Sequence, residues 1–363
     1  MTAARLELRR DRQPVLVTGG CGFVGCNIAA ALAARGRTVV VADNLSRRGA
    51  ALNAEWLRER FADRVVVAVA DVRDHDVMDE LVADASAVLH LAGQVAVTTS
   101  LVDPIEDFEI NTRGTLNILE AVRRRNPSAP VIFASTNKVY GRLLDDGAVH
   151  RVDGRYAPDD DRLASGVSEC APLDFHSPYG CSKGAADQYV RDYARVAGLR
   201  TVVLRMSCIY GPRQFGTEDQ GWIAHFLLQA MRGRPITVYG DGCQVRDALY
   251  VGDAVEAWIA ALDSIERTSG EIFNLGGGPS NALSLRDLLG WIEESHGEAP
   301  EIRMEAWRPG DQPWYVSDIG KISRALDWAP RTPLRDGLRA LDDWLTDGVA
   351  APAAGIRLQE AQA

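Results

Sequence analysis

The chain has 363 residues, a formal net charge of −10, and 46% hydrophobic against 25% charged residues. That acidic balance in an ordinary globular composition excludes nucleic acid as the main partner by bulk charge, whereas a nucleotide needs only a local basic site. No run approaches the roughly 18 uncharged apolar residues of a membrane span, and the opening MTAARLELRR lacks the apolar stretch of a signal peptide, so no membrane association is expected.

The cysteines stand at 21, 26, 170, 181, 208 and 243 with no C-x-x-C pair. They read as free thiols of a reducing cytosol, so a cytoplasmic location is expected. The histidines are scattered without metal-ligand spacing, and no metal is expected.

In chain order, PVLVT (14–18) reads as a buried strand, followed by a glycine cluster and a helix over 27–34. RTVVVAD (37–43), VVVAVAD (65–71), AVLHLAG (87–93) and PVIFAST (130–136) read as further strands, with the clearest intervening helix over 111–125. Continuous Val/Ile/Leu strands interleaved with helices predict a doubly wound, Rossmann-type α/β sheet covered on both faces. A polar, acidic excursion over 142–173 breaks the rhythm beside a site. A helix over 179–197 and a strand over 200–208 then resume it. Beyond that the elements shorten, with turns at Gly211-Pro212, Gly240-Asp241-Gly242 and Gly276-Gly277-Gly278. The division expected is 13–205, with 247–274 returning to it, as a nucleotide-binding domain. Residues 206–246 and 275–346 form a smaller mixed α/β substrate domain, and 1–12 and 348–363 are expected to be flexible.

The first strand runs into Gly19-Gly20-Cys21-Gly22-Phe23-Val24-Gly25. Glycines at 19, 22 and 25 permit a tight turn, close approach of backbone to a pyrophosphate, and close helix-on-sheet packing. With Phe23 and Val24 inside the turn, the N-terminus of the helix that follows points free N–H groups at the anion. Asp43 ends strand two, roughly 20 residues on, where an acid accepts from a ribose 2′-OH and repels a 2′-phosphate. The cofactor predicted is therefore NAD, although Arg47 and Arg48 nearby could accept a 2′-phosphate. Asn44 flanks Asp43. Asp71, with Val72, ends strand three where a carboxylate reaches an adenine edge. Leu91-Ala92-Gly93 ends strand four, where small residues admit the nicotinamide-side ribose.

Ser177-Pro178-Tyr179-Gly180-Cys181-Ser182-Lys183 contains Y-x-x-x-K, which puts Tyr179 and Lys183 on one helix face. Ser177 suits an N-cap and Pro178 the first helical position. The ammonium is expected to lower the phenol pKa toward neutrality, so that Tyr179 takes a proton from a substrate hydroxyl as hydride leaves. Thr136, at the C-terminal end of strand five, is expected to hydrogen-bond that hydroxyl. Ser135 is the alternative, since neighbouring strand residues face opposite ways.

With these motifs in place, the chain resembles the extended short-chain dehydrogenase/reductase family of nucleotide-sugar epimerases and dehydratases over about residues 13–345. The resemblance rests on GGCGFVG (19–25), Asp43, HLAG (90–93), STNKVYG (135–141), SPYGCSK (177–183), VYGDGCQVRD (238–247) and RPGDQ (308–312). It implies tightly held NAD, a nucleoside-diphosphate sugar as substrate, and a homodimer or homotetramer built on the helices at about 105–125 and 178–197. Dehydratases of the family place Asp-Glu after the threonine, because eliminating water needs an acid and a base. Asn137-Lys138 stands here instead, which leaves hydride shuttling. Within the family, DNLSRRGA (43–50), HLAGQVAVTTS (90–100), NKVYG (137–141), DFHSPYGCSKGAADQY (174–189) and DQGW (219–222) resemble the CDP-sugar 2-epimerases. A C4-epimerase, a net dehydrogenase and a non-catalytic NAD-binding regulator remain the alternatives. The resemblance places Arg246 and Arg308 on the diphosphate and ribose with Asp311 beside them, and Tyr239 on the pyrimidine. Gln94, Asn137, Lys138, His176 and Ser207 are expected to line the sugar pocket.

Overall fold

The computed structural model describes residues 13–350 apart from 145–147 and 309. The expected apolar runs form strands β1 (Val15–Thr18), β2 (Val39–Asp43), β3 (Val65–Val69), β4 (Ala87–His90) and β5 (Val131–Thr136). Between them lie helices α1 (Phe23–Ala34), α2 (Ala50–Arg60), α3 (His75–Ala83), α4 (Val97–Val102), α5 (Pro104–Phe108) and α6 (Gly114–Arg125). The helix expected over 111–125 begins with a π-helical turn, Glu109–Arg113, before α6. The acidic excursion contains a hairpin of β6 (Val149–Val152) and β7 (Arg155–Pro158). Helix α7 (Ser177–Val196) and strand β8 (Thr201–Met206) follow.

The remainder alternates short elements. They are β9 (Cys208–Tyr210), α8 (Trp222–Met231), β10 (Ile236–Tyr239), β11 (Val245–Tyr250), α9 (Val251–Asp263) and α10 (Ile265–Thr268). Then come β12 (Glu271–Leu275), β13 (Ala282–Ser284), α11 (Leu285–His296), β14 (Ile302–Glu305), β15 (Trp314–Tyr315), α12 (Gly320–Leu326) and α13 (Leu334–Ala350). The expectation of flexible termini falls on 1–12 and 351–363, outside the described residues. Gly348–Ala350 instead complete α13, whose buried stripe of Leu338, Leu341 and Leu345 sets its helical register.

A seven-stranded parallel sheet has the order β12-β8-β5-β4-β1-β2-β3, so the fold is the Rossmann-type doubly wound α/β class. Successive side chains of one strand alternate in direction, which is why Val15, Val17, Val39 and Val41 join one core while Leu16 and Val40 join the other. The first core packs under α1, α2 and α9, the second under α3, α6 and α7. The strand order reverses between β1 and β4, which opens a crevice at their C-terminal ends. Over that crevice sit the parallel pair β10–β14 and the sheet β13-β11-β15, with β9 also on β11. Their core is built from α8, α11 and α13.

One buried ion pair ties the sheet to α7. Arg205 of β8 donates from Nε and Nη2 to the Asp187 carboxylate at 2.9 and 3.0 Å, with 2% and 0% side-chain exposure. Ser135 donates to the same carboxylate at 2.7 Å, and Arg205 Nη1 donates to the Tyr140 hydroxyl at 3.0 Å. No helix among the described residues is long and apolar enough to cross a membrane.

Candidate active site

The glycine turn is shaped by three different contacts. A Cβ on Gly19 would stand 2.5 Å from the Ala92 backbone nitrogen, and one on Gly25 would stand 2.4 Å from the Gly19 carbonyl oxygen. Gly22 meets only the Gly19 carbonyl oxygen, at 3.1 Å, so it is the most open of the three. It is also the N-cap of α1 and has no side-chain cap, so the first-turn N–H groups have no intrahelical acceptor. Gly19 has φ +66° as well. Gly19→Ala is therefore expected to lose about 1–2 kcal/mol from the dihedral alone and more from the collision. The control Gly290→Ala, in open space within α11, should gain about 0.5–1 kcal/mol. Denaturant unfolding of the two variants checks both signs.

Asp43 reaches back over this turn. Its Oδ2 accepts from the Cys21 N–H at 3.0 Å and its Oδ1 from the Leu45 N–H at 2.8 Å, while burial pushes its pKa up. Asn44 donates to Asp71 Oδ2 at 3.0 Å. The Asp71 carboxylate is gripped by Arg73, whose Nε and Nη2 lie 3.0 and 2.8 Å away, and is pulled down to about 2 by that bond. These neighbours fix the carboxylate, whose side chain stays 28% exposed just beyond β3. Val72 packs against Gly114, where a Cβ would come within 2.7 Å.

Behind β1 and β4 a directed hydrogen-bond chain holds the Leu91-Ala92-Gly93 turn. Thr115 donates to the Asn111 carbonyl at 2.6 Å, so His90 Nε2 donates to Thr115 Oγ1 at 3.0 Å. Nδ1 then accepts from Thr18 Oγ1 at 2.7 Å, and Thr18 Oγ1 accepts from the Ala92 N–H at 3.4 Å. Burial keeps this imidazole neutral, with its pKa pushed down to about 3. Leu91 N–H donates to the Thr18 carbonyl at 3.0 Å. Gly93 faces Lys183, since a Cβ there would lie 3.7 Å from Nζ.

The crevice continues into a cleft of about 410 Å³ bounded by Phe23 and Val24 at one end and by Tyr239, Arg246 and Arg308 at the other. Thr136, Asn137, Lys138 and Tyr179 line its middle, with Ser207 and Asp311. Tyr179 is 8% exposed, and its phenol is pushed up to about 12 by burial; the Thr136 hydroxyl beside it and Arg47 act downward, and Asp107 upward. The expected fall toward neutrality is therefore not what the fold produces. Lys183 donates to the Ala134 carbonyl at 2.6 Å and lies 4.3 Å over the Phe133 ring. Desolvation brings Lys183 itself down to about 8, with Asp187 and Asp107 opposing. Ser135 turns away to Asp187, so of the two neighbours Thr136 is the one beside the phenol. His176, not the expected Ser177, holds the N-cap position of α7, with no capping bond from its side chain, and Ser177 Oγ accepts from the Gly180 N–H at 3.3 Å.

Two expected pocket residues lie elsewhere. The Gln94 side chain donates to the Ala96 carbonyl at 2.7 Å and to Asp107 Oδ1 at 2.9 Å. Asp107 also takes bonds from Asn111 and Ser182, and such a buried carboxylate draws in every donor within reach. His176 sits at the surface, with Nε2 3.2 Å from Asp174, because the chain turns outward just before α7.

The far end of the cleft is charged. Lys138 donates to the Gly310 carbonyl at 3.3 Å; burial and then Arg246 bring it down to about 8, against Asp311. Arg246 donates to the Val245 carbonyl at 2.8 Å and approaches Asp311 to 3.8 Å. Ser207 donates to Asp247, a carboxyl that burial raises to about 6. Arg308 lies 3.7 Å over the Tyr239 ring, and both reach Glu218. Glu218, Asp219, Gln214, Gln244 and Trp222 also line the cleft. The sequence pattern gave them no role, although DQGW (219–222) holds Asp219 and Trp222 and VYGDGCQVRD (238–247) holds Gln244. No group of three or more His, Cys, Asp or Glu among the described residues is arranged to hold a metal ion.

An open glycine at an uncapped helix start, an acid at the end of β2 and a cleft leading to a Thr–Tyr pair fit a dinucleotide beside a hydroxyl-bearing substrate. The family model "NAD dependent epimerase/dehydratase family" matches residues 15–276. The chain is 43% identical over 337 residues to the CDP-paratose 2-epimerase of Salmonella typhi, covering 91% of this chain and 98% of that enzyme. Among solved structures, the UDP-glucose 4-epimerase of Thermotoga maritima with UDP-glucose superposes with a TM-score of 0.80 at 28% identity, covering 93% and 99% of the two chains. The UDP-glucuronic acid 4-epimerase of Bacillus cereus, in complex with UDP-glucuronic acid and NAD, gives 0.80 at 27% identity, covering 92% and 99%. By sequence and by fold alike, the chain belongs to the NAD-dependent epimerase/dehydratase family.

Proposed function

We propose that the protein is an NAD-dependent nucleotide-sugar epimerase of the CDP-paratose 2-epimerase type, which inverts C2 through a transient 2-keto sugar. The observation that carries this reading is the middle of the cleft. Thr136 and Tyr179 meet there, followed in the chain by Asn137 and Lys138 rather than by a carboxylate pair. Among the described residues, the carboxylates lining the cleft are Glu218, Asp219 and Asp311, and each lies within 4 Å of Arg308 or Arg246 at the far end. Elimination of water lacks its acid and base at the reacting carbon.

In this reading Gly22, Phe23, Val24 and Asp43 hold the cofactor, with Asn44, Val72 and the 91–93 turn around it. NAD held there would supply the hydride acceptor and donor for C2. Tyr179 takes the C2 hydroxyl proton and later gives it back, so protons and electrons balance over the cycle. Thr136 orients that hydroxyl, and Lys183, beside Gly93, would hold the nicotinamide-side ribose. Arg246 and Arg308 hold the diphosphate with bidentate geometry. Residues 13–205, with 247–274, carry the cofactor side, and 206–246 with 275–346 carry the nucleotide sugar. The exposed apolar side chains Leu101, Val102, Ile105, Phe108 and Tyr189 support pairing of two or four copies through this face. The unpaired cysteines fit a reducing, cytoplasmic setting.

The test incubates the purified protein with CDP-paratose in D₂O and follows the sugar by NMR. Epimerisation with no deuterium at C2 is expected, because the same hydride returns. Denatured protein should release near-stoichiometric NAD. Turnover of UDP-glucose to UDP-galactose instead would favour a C4-epimerase, the reading that the UDP-glucose-bound structural neighbour supports. Net accumulation of reduced cofactor would favour a dehydrogenase. No turnover with NAD retained would favour a regulator.

A further inference from the structure

No described residue of the acidic excursion lines the cleft, yet its hairpin is fastened to the loops that carry the cleft's far end. Tyr156 of β7 donates its hydroxyl to Asp241 Oδ2 at 2.7 Å, and Arg151 of β6 bonds the same oxygen. Asp241 Oδ1 accepts from the Cys243 N–H at 2.9 Å, which closes the turn, and the Tyr156 N–H donates to the Cys243 carbonyl at 2.9 Å. The other face of Tyr156 meets Trp307, with ring centroids 6.3 Å apart. Trp307 packs against Gly240, where a Cβ would come within 2.7 Å of the indole.

The chain neighbours of these anchors form the clamp at the cleft. Tyr239 precedes Gly240, Arg308 follows Trp307, and the guanidinium stands 3.7 Å over the Tyr239 ring. We propose that the β6–β7 hairpin is a brace, with Tyr156 as a positioning residue that sets the spacing of the Tyr239–Arg308 clamp and so the affinity for the nucleoside diphosphate. Val149 and Tyr156 also pack against the apolar cluster of Val245, Trp314 and Val316, which seats the hairpin, while the polar fastenings link it to the 240–243 turn. This inference rests on the nucleotide-sugar reading for its ligand and not for its mechanics.

The test compares the full-length protein, as purified, with Tyr156→Phe and Asp241→Asn. Hydrogen exchange at 240–243 should quicken by about three- to ten-fold in Tyr156→Phe, with β5 and α7 unchanged. Binding of CDP should weaken by about the same factor, and KM for the sugar should rise while kcat stays within about two-fold. Asp241→Asn loses the charge that Arg151 pairs with and turns an NH2 toward one of the three donors, so it should give an effect at least as large. Unchanged exchange at the turn overturns the brace, and so does faster exchange with unchanged CDP affinity. A wild-type protein that binds neither CDP nor UDP defeats the nucleotide reading, while the exchange comparison still decides whether the hairpin braces the loops.

Discussion

Tyr179→Phe is expected to lose about 10²–10⁴ in turnover while keeping its NAD, the range for removing a positioned proton-transfer group. The ring is 8% exposed and stays packed in the variant, so only the phenolic oxygen beside Thr136 is lost. The glycine turn and Asp43 belong to β1, α1 and β2, at the other end of the cleft, so cofactor content should not change. The phenol is pushed up to about 12 by burial, so its ionised fraction grows with pH throughout the assay range. Wild-type kcat/KM should therefore climb with pH across the whole assay range, and that slope should vanish in the variant. Turnover equal to wild type, at matched NAD content, would falsify the assignment of Tyr179 as base.

The second large effect is on stability. Asp187→Ala leaves Arg205 buried at 2% exposure without its carboxylate. Breaking a buried pair from one side costs about 3–5 kcal/mol, a large part of the roughly 5–15 kcal/mol that holds a protein folded. Ser135 and Gln188 lose their acceptor as well. Replacing both partners, Asp187→Leu with Arg205→Met, should be markedly less damaging than the single change, because no charge is then stranded. Urea unfolding of the three proteins decides the matter. A single variant within about 1 kcal/mol of wild type would mean that the pair is solvated in solution.

The parts of the site legible in the sequence are those built by local geometry. PVLVT followed by GGCGFVG reads as strand, turn and helix because Val periodicity and glycine dihedrals act over a few residues. Tyr179 and Lys183 share a face because they are four apart on one helix. Strand alternation lets only one of Ser135 and Thr136 face the cleft, and the packed fold decides which, since Ser135 turns to Asp187. Gln94 follows the same strand end as the legible residues, but its side chain answers to Asp107, which arrives on a separate short helix. The phenol pKa was misjudged for a related reason. Spacing brings Lys183 near Tyr179, but the ammonium donates to Ala134 and burial dominates the phenol.

The hairpin shows the limit most clearly. Composition marks 142–173 as an excursion beside a site. That Tyr156 lands on Asp241, 85 residues away, depends on where the β13-β11-β15 sheet packs. The same holds for Arg308 and Glu218, 90 apart, and for Ser182 and Asp107, 75 apart. By itself the amino-acid sequence determined the parallel sheet, the cofactor turn, the Tyr–Lys face and the family. Only the tertiary structure decided which polar side chains open to the cleft and which are consumed in the core. A buried donor or acceptor pairs with whatever the packed elements bring within about 3 Å, and that neighbour is not written in its local spacing.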